Sequence, residues 1–314
     1  MNLKMPVVVE AVEDLTPDVR SFVLRHAKKP DLPSFEPGAH VAVYLPDGLI
    51  RHYSICSDPA NLGHYRLAVL LEPQSRGGSR AMHDLIVGQR LYISYPRNKF
   101  LLRDGDAPVV LVAGGIGVTP LLAMAHRMKA QGRAFRLLFL GREEVRLPFL
   151  GEAAALAGIE NVTVHCDGGD PTKRFDIDAF VRSLPSDAEI YTCGPGPLLD
   201  SVVEAGRKWG RAVELERFAG VTQAKVEKGQ AFEIVLSSSG KVLHVGKEET
   251  ALDALSAAGV DVPNSCRGGV CGECKVRYLD GAPEHADMVL SQEERQTMWT
   301  ACVSRAAGTI TLDL

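Results

Sequence analysis

The sequence predicts a multidomain protein with three successive architectures: an antiparallel β-barrel, an α/β domain on a parallel sheet, and a small C-terminal α+β module. Three observations predict this. From residue 5 to about 102 the chain runs in short segments rich in Val, Ile, Tyr and Leu, separated by turn residues, the pattern of a sandwich or barrel. From about 106 to 217 strand-like and helix-like segments alternate, as in a doubly wound parallel sheet. Near the end, four of the seven cysteines crowd between Cys266 and Cys302.

The first regime reads VVVEAVEDL, VRSFVLRHA, HVAVYLP, RHYSICS, YRLAVLLEP and RLYISYP as strands, with a helix over Ser79–Leu85. In the second, PVVLVAG, FRLLFLG, NVTVHCDGG, EIYTCGP and VELERF are strands. PLLAMAHRMKAQG, PFLGEAAALAG, IDAFVRSLP and PLLDSVVEAGRKWG are the helices between them. AGVTQAKVEKGQ, polar and without an apolar period, reads as a linker. Beyond it come two strands around Ser237–Gly240, a helix over ETALDALSAAG ending at Gly259, the cysteine loop, and a closing strand TITLDL. The expected boundaries are 1–104, 105–220, a linker at 221–229, and 230–314.

Composition narrows the function classes. Hydrophobic residues make up 46% and charged residues 24%, which is globular and excludes disordered or collagen-like chains. A net charge of −4 gives no footprint for nucleic acid. The uncharged run from Pro108 to Ala125 approaches spanning length, but three glycines, a threonine and a proline interrupt it; strand, glycine turn and helix is the reading adopted, with no membrane span. The first residues show no cationic segment before a long apolar one, so no signal peptide is expected. An odd cysteine count fits a reducing, cytoplasmic setting. No coiled-coil heptad calls for more than a monomer. Residues 229–314 hold seven Lys/Arg against twelve Asp/Glu, so the negative charge belongs to the terminal module.

Cys266, Cys271, Cys274 and Cys302 follow C-x4-C-x2-C with a distant fourth cysteine, the plant-type [2Fe–2S] spacing. Three ligands in one loop require tight backbone turns, which Gly268, Gly269 and Gly272 allow. Zinc is the alternative, although structural zinc sites pair their cysteines more evenly. Cys56 and Cys166 read as small strand residues, and Glu293-Glu294-Arg295 as a solvated helix face.

Arg51-His52-Tyr53-Ser54 lies in a barrel strand. It combines an arginine suited to phosphate with an aromatic ring and a hydroxyl suited to a planar ring. Arg76-Gly77-Gly78-Ser79-Arg80 opens a helix, where N–H groups can receive phosphate. Gly114-Gly115-Ile116-Gly117-Val118-Thr119-Pro120 and Cys193-Gly194-Pro195-Gly196-Pro197 each follow a strand of the α/β domain, where a nucleotide can approach the backbone.

The order of R-x-Y-S, G-G-x-G-x-T-P, C-G-P-x-P and Glu216-Arg217-Phe218 resembles the ferredoxin-reductase superfamily. NSCRGGVCGECKV and TACVSRA resemble plant-type ferredoxins of β-grasp fold. The whole chain resembles the phthalate dioxygenase reductase family, which includes reductases of vanillate demethylase and carnitine monooxygenase type systems.

That resemblance implies FMN in the barrel, with FAD, used by sister families, as the alternative. It implies that Tyr53 flanks the ring system, that Ser54 lies near its reactive edge, and that Arg51, Gly77, Gly78 and Ser79 hold the phosphate. Ala68 and Val69 join the flavin's surroundings, and His52 replaces a threonine common at its position. Gly114, Gly115, Gly117 and Gly194 would seat the nicotinamide, Thr119, Cys193 and Glu216 would position it or polarise the flavin edge, and Phe218 would cover the flavin or shield it from solvent. No acid–base catalyst is expected. The resemblance favours NADH, and Glu143 and Glu144 would repel a 2′-phosphate that Arg142 could attract. A cluster at about −400 mV would receive the electrons and pass them to a Rieske-type terminal oxygenase. A cytochrome P450 or a diffusible ferredoxin is the alternative acceptor. A zinc-stabilised, non-catalytic interaction protein is the alternative from another class.

Overall fold

The computed structural model describes residues 4–73, 77–218, 229–264, 267–269 and 272–314. Arg76, Cys266, Cys271 and the linker residues 221–228 lie outside them. The chain separates into two compact units, Met1–Phe218 and Ala219–Leu314.

The first unit begins with β1 (Lys4–Thr16), β2 (Val19–His26), β3 (Ala39–Tyr44), β4 (Ile50–Ser54), β5 (Tyr65–Leu70), α1 (Gly78–His83), β6 (Arg90–Ser94) and β7 (Arg97–Asn98). The sheet runs β4-β3-β6-β1-β2-β5, with β7 also on β3. Just beyond β4, the Cys56 amide donates to the Arg66 carbonyl of β5 at 2.8 Å, which draws the two end strands towards each other. Alternate residues supply the interior: Val7, Val9, Phe22, Leu24, Val41, Val43, Leu67, Val69, Leu91 and Ile93 form one core. Truncating the fully buried Phe22 to alanine would remove about 3–5 kcal/mol. The helix expected at Ser79–Leu85 starts and stops earlier. Its last turn tightens as the Leu85 amide donates to the Met82 carbonyl, 3.1 Å, and Leu85 enters the core outside the helix.

The α/β half comprises β8 (Val109–Gly114), α2 (Val118–Ala130), β9 (Phe135–Gly141), α3 (Leu150–Ala157), β10 (Val162–Cys166), α4 (Ile177–Ser183), β11 (Glu189–Cys193), α5 (Gly196–Trp209) and β12 (Ala212–Glu216). Its strands are parallel in the order β10-β9-β8-β11-β12. β8 is buried throughout, as a strand covered on both faces must be. Val109, Leu111 and Ala113 join the core beneath α2 and α3, while Val110 and Val112 join that beneath α4 and α5. The uncharged run 108–125 is therefore strand, turn and helix. Among the described residues, no helix is long and apolar enough to cross a membrane. Winding reverses between β8 and β11, so their carboxyl ends flank the crevice where open α/β sheets bind ligands.

The second unit holds β13 (Phe232–Leu236), β14 (Val242–Val245), α6 (Ala251–Ala257), β15 (Lys275–Glu284), β16 (Met298–Thr300) and β17 (Arg305–Leu312). The order is β14-β13-β17-β15-β16, with β13 and β17 parallel and the other pairs antiparallel. Thr250 caps α6 by accepting the Asp253 amide at 3.1 Å. Trp299 is fully buried edge-on to Phe232, with 6.2 Å between ring centroids, and its indole N–H donates to the Arg305 carbonyl at 3.1 Å.

Candidate functional site

Two glycine turns abut at the carboxyl ends of β8 and β11. A Cβ on Gly117 would stand 2.2 Å from the Cys193 carbonyl oxygen and 2.7 Å from the Gly194 nitrogen. Only glycine allows this backbone-to-backbone approach. Gly114 lies against Gly194 in the same way. Gly115 has φ +52, and nothing stands within 4 Å of where its Cβ would be, so it offers open backbone to a ligand. The Thr119 side chain is buried, and its hydroxyl donates to the Ile116 carbonyl at 3.0 Å. Thr119 thus stitches the turn internally.

Cys193 pairs in register with Glu216 on β12 and is fully buried. Burial pushes its thiol well above the ordinary range, and the Glu216 charge adds to the effect. Burial also pushes the Glu216 carboxyl up to about 8, against an opposing hydrogen bond from Ser54. The Ser54 hydroxyl donates to Glu216 Oε2 at 3.4 Å, so the R-x-Y-S strand of the barrel meets the last strand of the parallel sheet. Phe218 packs half-buried against the core that includes Cys193.

Along β4 the side chains alternate. The Arg51 side chain lies across Gly78 at the start of α1; a Cβ there would stand 2.4 Å from Arg51 Nε. Gly77 precedes the helix with φ 88, and the first N–H groups of a helix have no acceptor within it. The Ser79 hydroxyl accepts the Glu72 amide at 3.1 Å, which leaves its own hydrogen available to donate. Guanidinium, hydroxyl and helix N–H groups thus gather beside Gly78, where a side chain would displace Arg51, and these donors fit a flavin phosphate. Tyr53 packs half-buried against the barrel core, and burial pushes its phenol upward. His52 turns away from Arg51 and stacks on His40, 5.1 Å between centroids. Burial, with the nearby His52, Lys99 and Arg97 charges, holds His40 down at about 3. Val69 belongs to the barrel core and Ala68 to the core shared with α2. Arg142 is exposed after β9, while Glu143 beside it pairs with Arg146 at 3.2 Å.

In the second unit Cys274 and Cys302 are both buried. The Ala301 amide donates to the Cys274 carbonyl at 3.1 Å, which brings the segment just before β15 to the residues following β16, where Cys302 lies. Gly269, with φ +73, sits where a Cβ would meet Val303 Cγ2 at 2.7 Å and Asp287 Cα at 3.1 Å. Arg267, Gly269 and Gly272 all have positive φ, as a loop wrapping several ligands around one centre requires. Soft thiolate donors on a tightly turned loop fit an iron–sulfur cluster.

Several ties escaped the sequence. Arg66 on β5 donates to Glu152 on α3 at 2.6 Å, and His126 on α2 meets the same oxygen at 2.8 Å; each residue alone reads as a surface charge. Arg295, expected on a solvated face, donates to the Asp287 carbonyl at 2.7 Å.

Residues 234–307 match the 2Fe-2S iron-sulfur cluster binding domain. The chain is 40% identical over 297 residues to the tert-butanol monooxygenase / tert-amyl alcohol desaturase reductase subunit of Aquincola tertiaricarbonis, covering 90% of this chain and 88% of that one. It is 37% identical over 311 residues to phthalate dioxygenase reductase of Burkholderia cepacia, covering 98% and 96%. A solved structure of phthalate dioxygenase reductase, described as modular for electron transfer from pyridine nucleotides to [2Fe–2S], superposes with a TM-score of 0.80 at 36% identity, covering 99% and 98%.

Proposed function

This chain belongs to the phthalate dioxygenase reductase family, and on that premise we propose that it is the NADH-dependent reductase component of a Rieske-type oxygenase. It is an oxidoreductase that carries electrons from NADH through a flavin, FMN, to a [2Fe–2S] cluster. When bound, these groups turn the two-electron donation of NADH into single electrons for an acceptor. The protein supplies proximity and orientation.

The observation that carries the reading is the Ser54–Glu216 bond, which sets the barrel's ring-binding strand beside the paired glycine turns. Arg51, Ser79 and the N–H groups at Gly77 and Gly78 bind the FMN phosphate. Tyr53 lies against the ring, with Ala68 and Val69 as neighbouring walls. Gly114, Gly115, Gly117 and Gly194 seat the nicotinamide dinucleotide. Thr119 and Cys193 shape that seat from behind, Thr119 through Ile116 and Cys193 through its carbonyl against Gly117. Glu216 keeps a proton near neutral pH, with its Oε2 beside the Ser54 hydroxyl. Phe218 covers the site. His52 supports β4 through its stack on His40. At Arg142, the neighbouring Glu143 and Glu144 disfavour a 2′-phosphate, which supports NADH. The cluster is held by Cys266, Cys271, Cys274 and Cys302. The functional boundaries are 1–104 for flavin, 105–220 for nucleotide, 221–229 as linker and 230–314 for the cluster. The protein works as a cytoplasmic monomer, and its acidic terminal module docks on a basic face of the oxygenase.

Anaerobic NADH titration of the holoprotein, with flavin extraction and iron and sulfide analysis, tests the chemistry. FMN, iron and sulfide, with bleaching by NADH, are expected; a colourless zinc protein would overturn it. Assay with purified acceptors tests the partner. Salt-sensitive turnover of a Rieske oxygenase is expected, and turnover of only a cytochrome P450 or a free ferredoxin would reassign it.

A further inference from the structure

Asp287 carries a carboxylate whose side chain has 0% exposure, in a loop that none of the ligand spacings points to. Its Oδ2 accepts the Leu290 amide at 2.9 Å and the Val289 amide at 3.2 Å. Arg295 Nη2 approaches the same oxygen at 3.5 Å while bonding the Asp287 carbonyl at 2.7 Å. Its Oδ1 receives the Thr300 hydroxyl at 3.5 Å and lies 3.6 Å from His285 Nδ1.

A carboxylate that only shaped its own turn would need no more than the two amides. The Asp287 segment reaches the ligand-bearing chain from two directions, through its backbone on one side and its carboxylate on the other. On one side, the Met288 amide donates to the Gly269 carbonyl at 3.0 Å, and Gly269 lies against Asp287 Cα, midway between Cys266 and Cys271. On the other, Thr300 shares a 2.7 Å hydrogen bond with the Ser304 hydroxyl, and the turn from Thr300 to Ser304 carries Cys302. The Ser304 amide donates to the Thr300 carbonyl at 3.1 Å, which closes that turn, and the Ala301 amide reaches Cys274. A charged group is expensive to bury unless its partners are fixed, so the carboxylate fixes them in return.

We propose that Asp287 is a positioning residue for the [2Fe–2S] cluster: it ties the Gly269 turn of the three-cysteine loop to the Thr300–Ser304 turn bearing the fourth cysteine, and so holds the two ligand-bearing segments at the spacing the cluster requires. The proposal rests on the cluster reading above. Asp287 acts through Thr300, which its carboxylate bonds, and through the Gly269 backbone packed against its own. Groups that orient metal ligands from behind contribute to metal retention on a scale that mutation makes measurable.

The experiment compares holoprotein carrying wild-type Asp287, Asp287→Asn, Asp287→Ala and Thr300→Val. The readouts are iron and sulfide per chain, the rate of cluster loss to a chelator, the EPR spectrum of the reduced cluster, its midpoint potential, and thermal stability. Asp287→Ala is expected to lose its cluster about tenfold faster than wild type, with altered EPR line shape. Asp287→Asn keeps an acceptor for the amides and is expected to fall between the two, and Thr300→Val is expected to change the same readouts in the same direction. A merely structural role would lower the melting temperature while leaving cluster loss, EPR and potential at wild-type values in Asp287→Ala, and that result overturns the proposal. If Asp287→Ala does not fold, wild-type values in both remaining variants overturn it equally. Wild-type protein without iron and sulfide would instead sink the cluster reading itself.

Discussion

Ser54 and Glu216 stand 162 positions apart in sequence and meet at 3.4 Å, one at the end of β4 in the barrel and the other at the end of β12 in the parallel sheet. The meeting gives the crevice a titratable wall. Because burial lifts the Glu216 carboxyl from 4.5 to about 8, the folded chain keeps a proton that the unfolded chain releases. Stability therefore falls as pH rises through that window and levels off above it. Glu216→Gln removes the titration. Urea unfolding of the flavin-free protein is expected to show the variant gaining on wild type between about pH 5 and 8, by a few kcal/mol at most. Parallel curves across the window would refute the assignment.

Glu152 behaves in the opposite sense. Burial alone would raise its carboxyl, but hydrogen bonds from His126 and Arg66 outweigh this and hold it at about 2. Its contribution is complete above 4.5 and fades as pH falls toward 2. Glu152→Ala leaves Arg66, which also bonds the Cys56 carbonyl, with a half-buried charge and one partner fewer. A loss of about 1–3 kcal/mol is expected at neutral pH, shrinking in acid, and denaturant midpoints across pH measure it. An undiminished difference at pH 2 would show that the effect is packing alone.

Such ties explain which parts of the molecule the sequence revealed. Gly117 and Gly269 were legible because each demand leaves glycine as its trace: the Cys193 backbone against Gly117, and a positive φ at Gly269. The buried run of β8 was legible because a strand covered on both faces has no polar alternation. The spacing of Cys274 and Cys302 was plain in the sequence, whereas the bond from the Ala301 amide to Cys274 depends on the β15–β16 pairing. Arg66, Glu152 and Asp287 were not legible. A charged residue looks the same in sequence whether it faces water or a partner on another element, and the partner lies at a separation no local pattern encodes. His52 shows the limit of a motif: its neighbours Arg51 and Tyr53 point one way along β4, while His52 turns to His40.

The Arg51–Gly78 contact predicts flavin affinity. Arg51→Lys keeps the charge but loses the planar fork that grips phosphate at two points. It is expected to weaken FMN binding about tenfold, or roughly 1.4 kcal/mol, and Arg51→Ala more. Gly78→Ala should act through Arg51, since its Cβ would land 2.4 Å from Nε and displace the side chain. Recovery of flavin fluorescence on dilution measures all three. If Gly78→Ala bound FMN like wild type while Arg51→Ala did not, the phosphate would lie away from the helix start.

Gly117 offers the sharpest test of the nucleotide seat, because the atom its Cβ would strike is backbone. At 2.2 Å from the Cys193 carbonyl oxygen, Gly117→Ala cannot be relieved by turning a side chain; one of the two glycine turns must move. A stability loss of about 3 kcal/mol is expected from that overpacking. The displaced turn should also raise KM for NADH more than it lowers kcat, since the seat rather than the flavin edge is disturbed. Gly115→Ala separates space from conformation. Its Cβ would meet nothing, so the φ of +52 is what opposes the substitution, at roughly 1 kcal/mol. Any larger rise in its KM for NADH, assayed with ferricyanide as acceptor so that the oxygenase plays no part, reads the dinucleotide lying against that open face. Equal, unaltered KM values in both variants would move the nucleotide elsewhere.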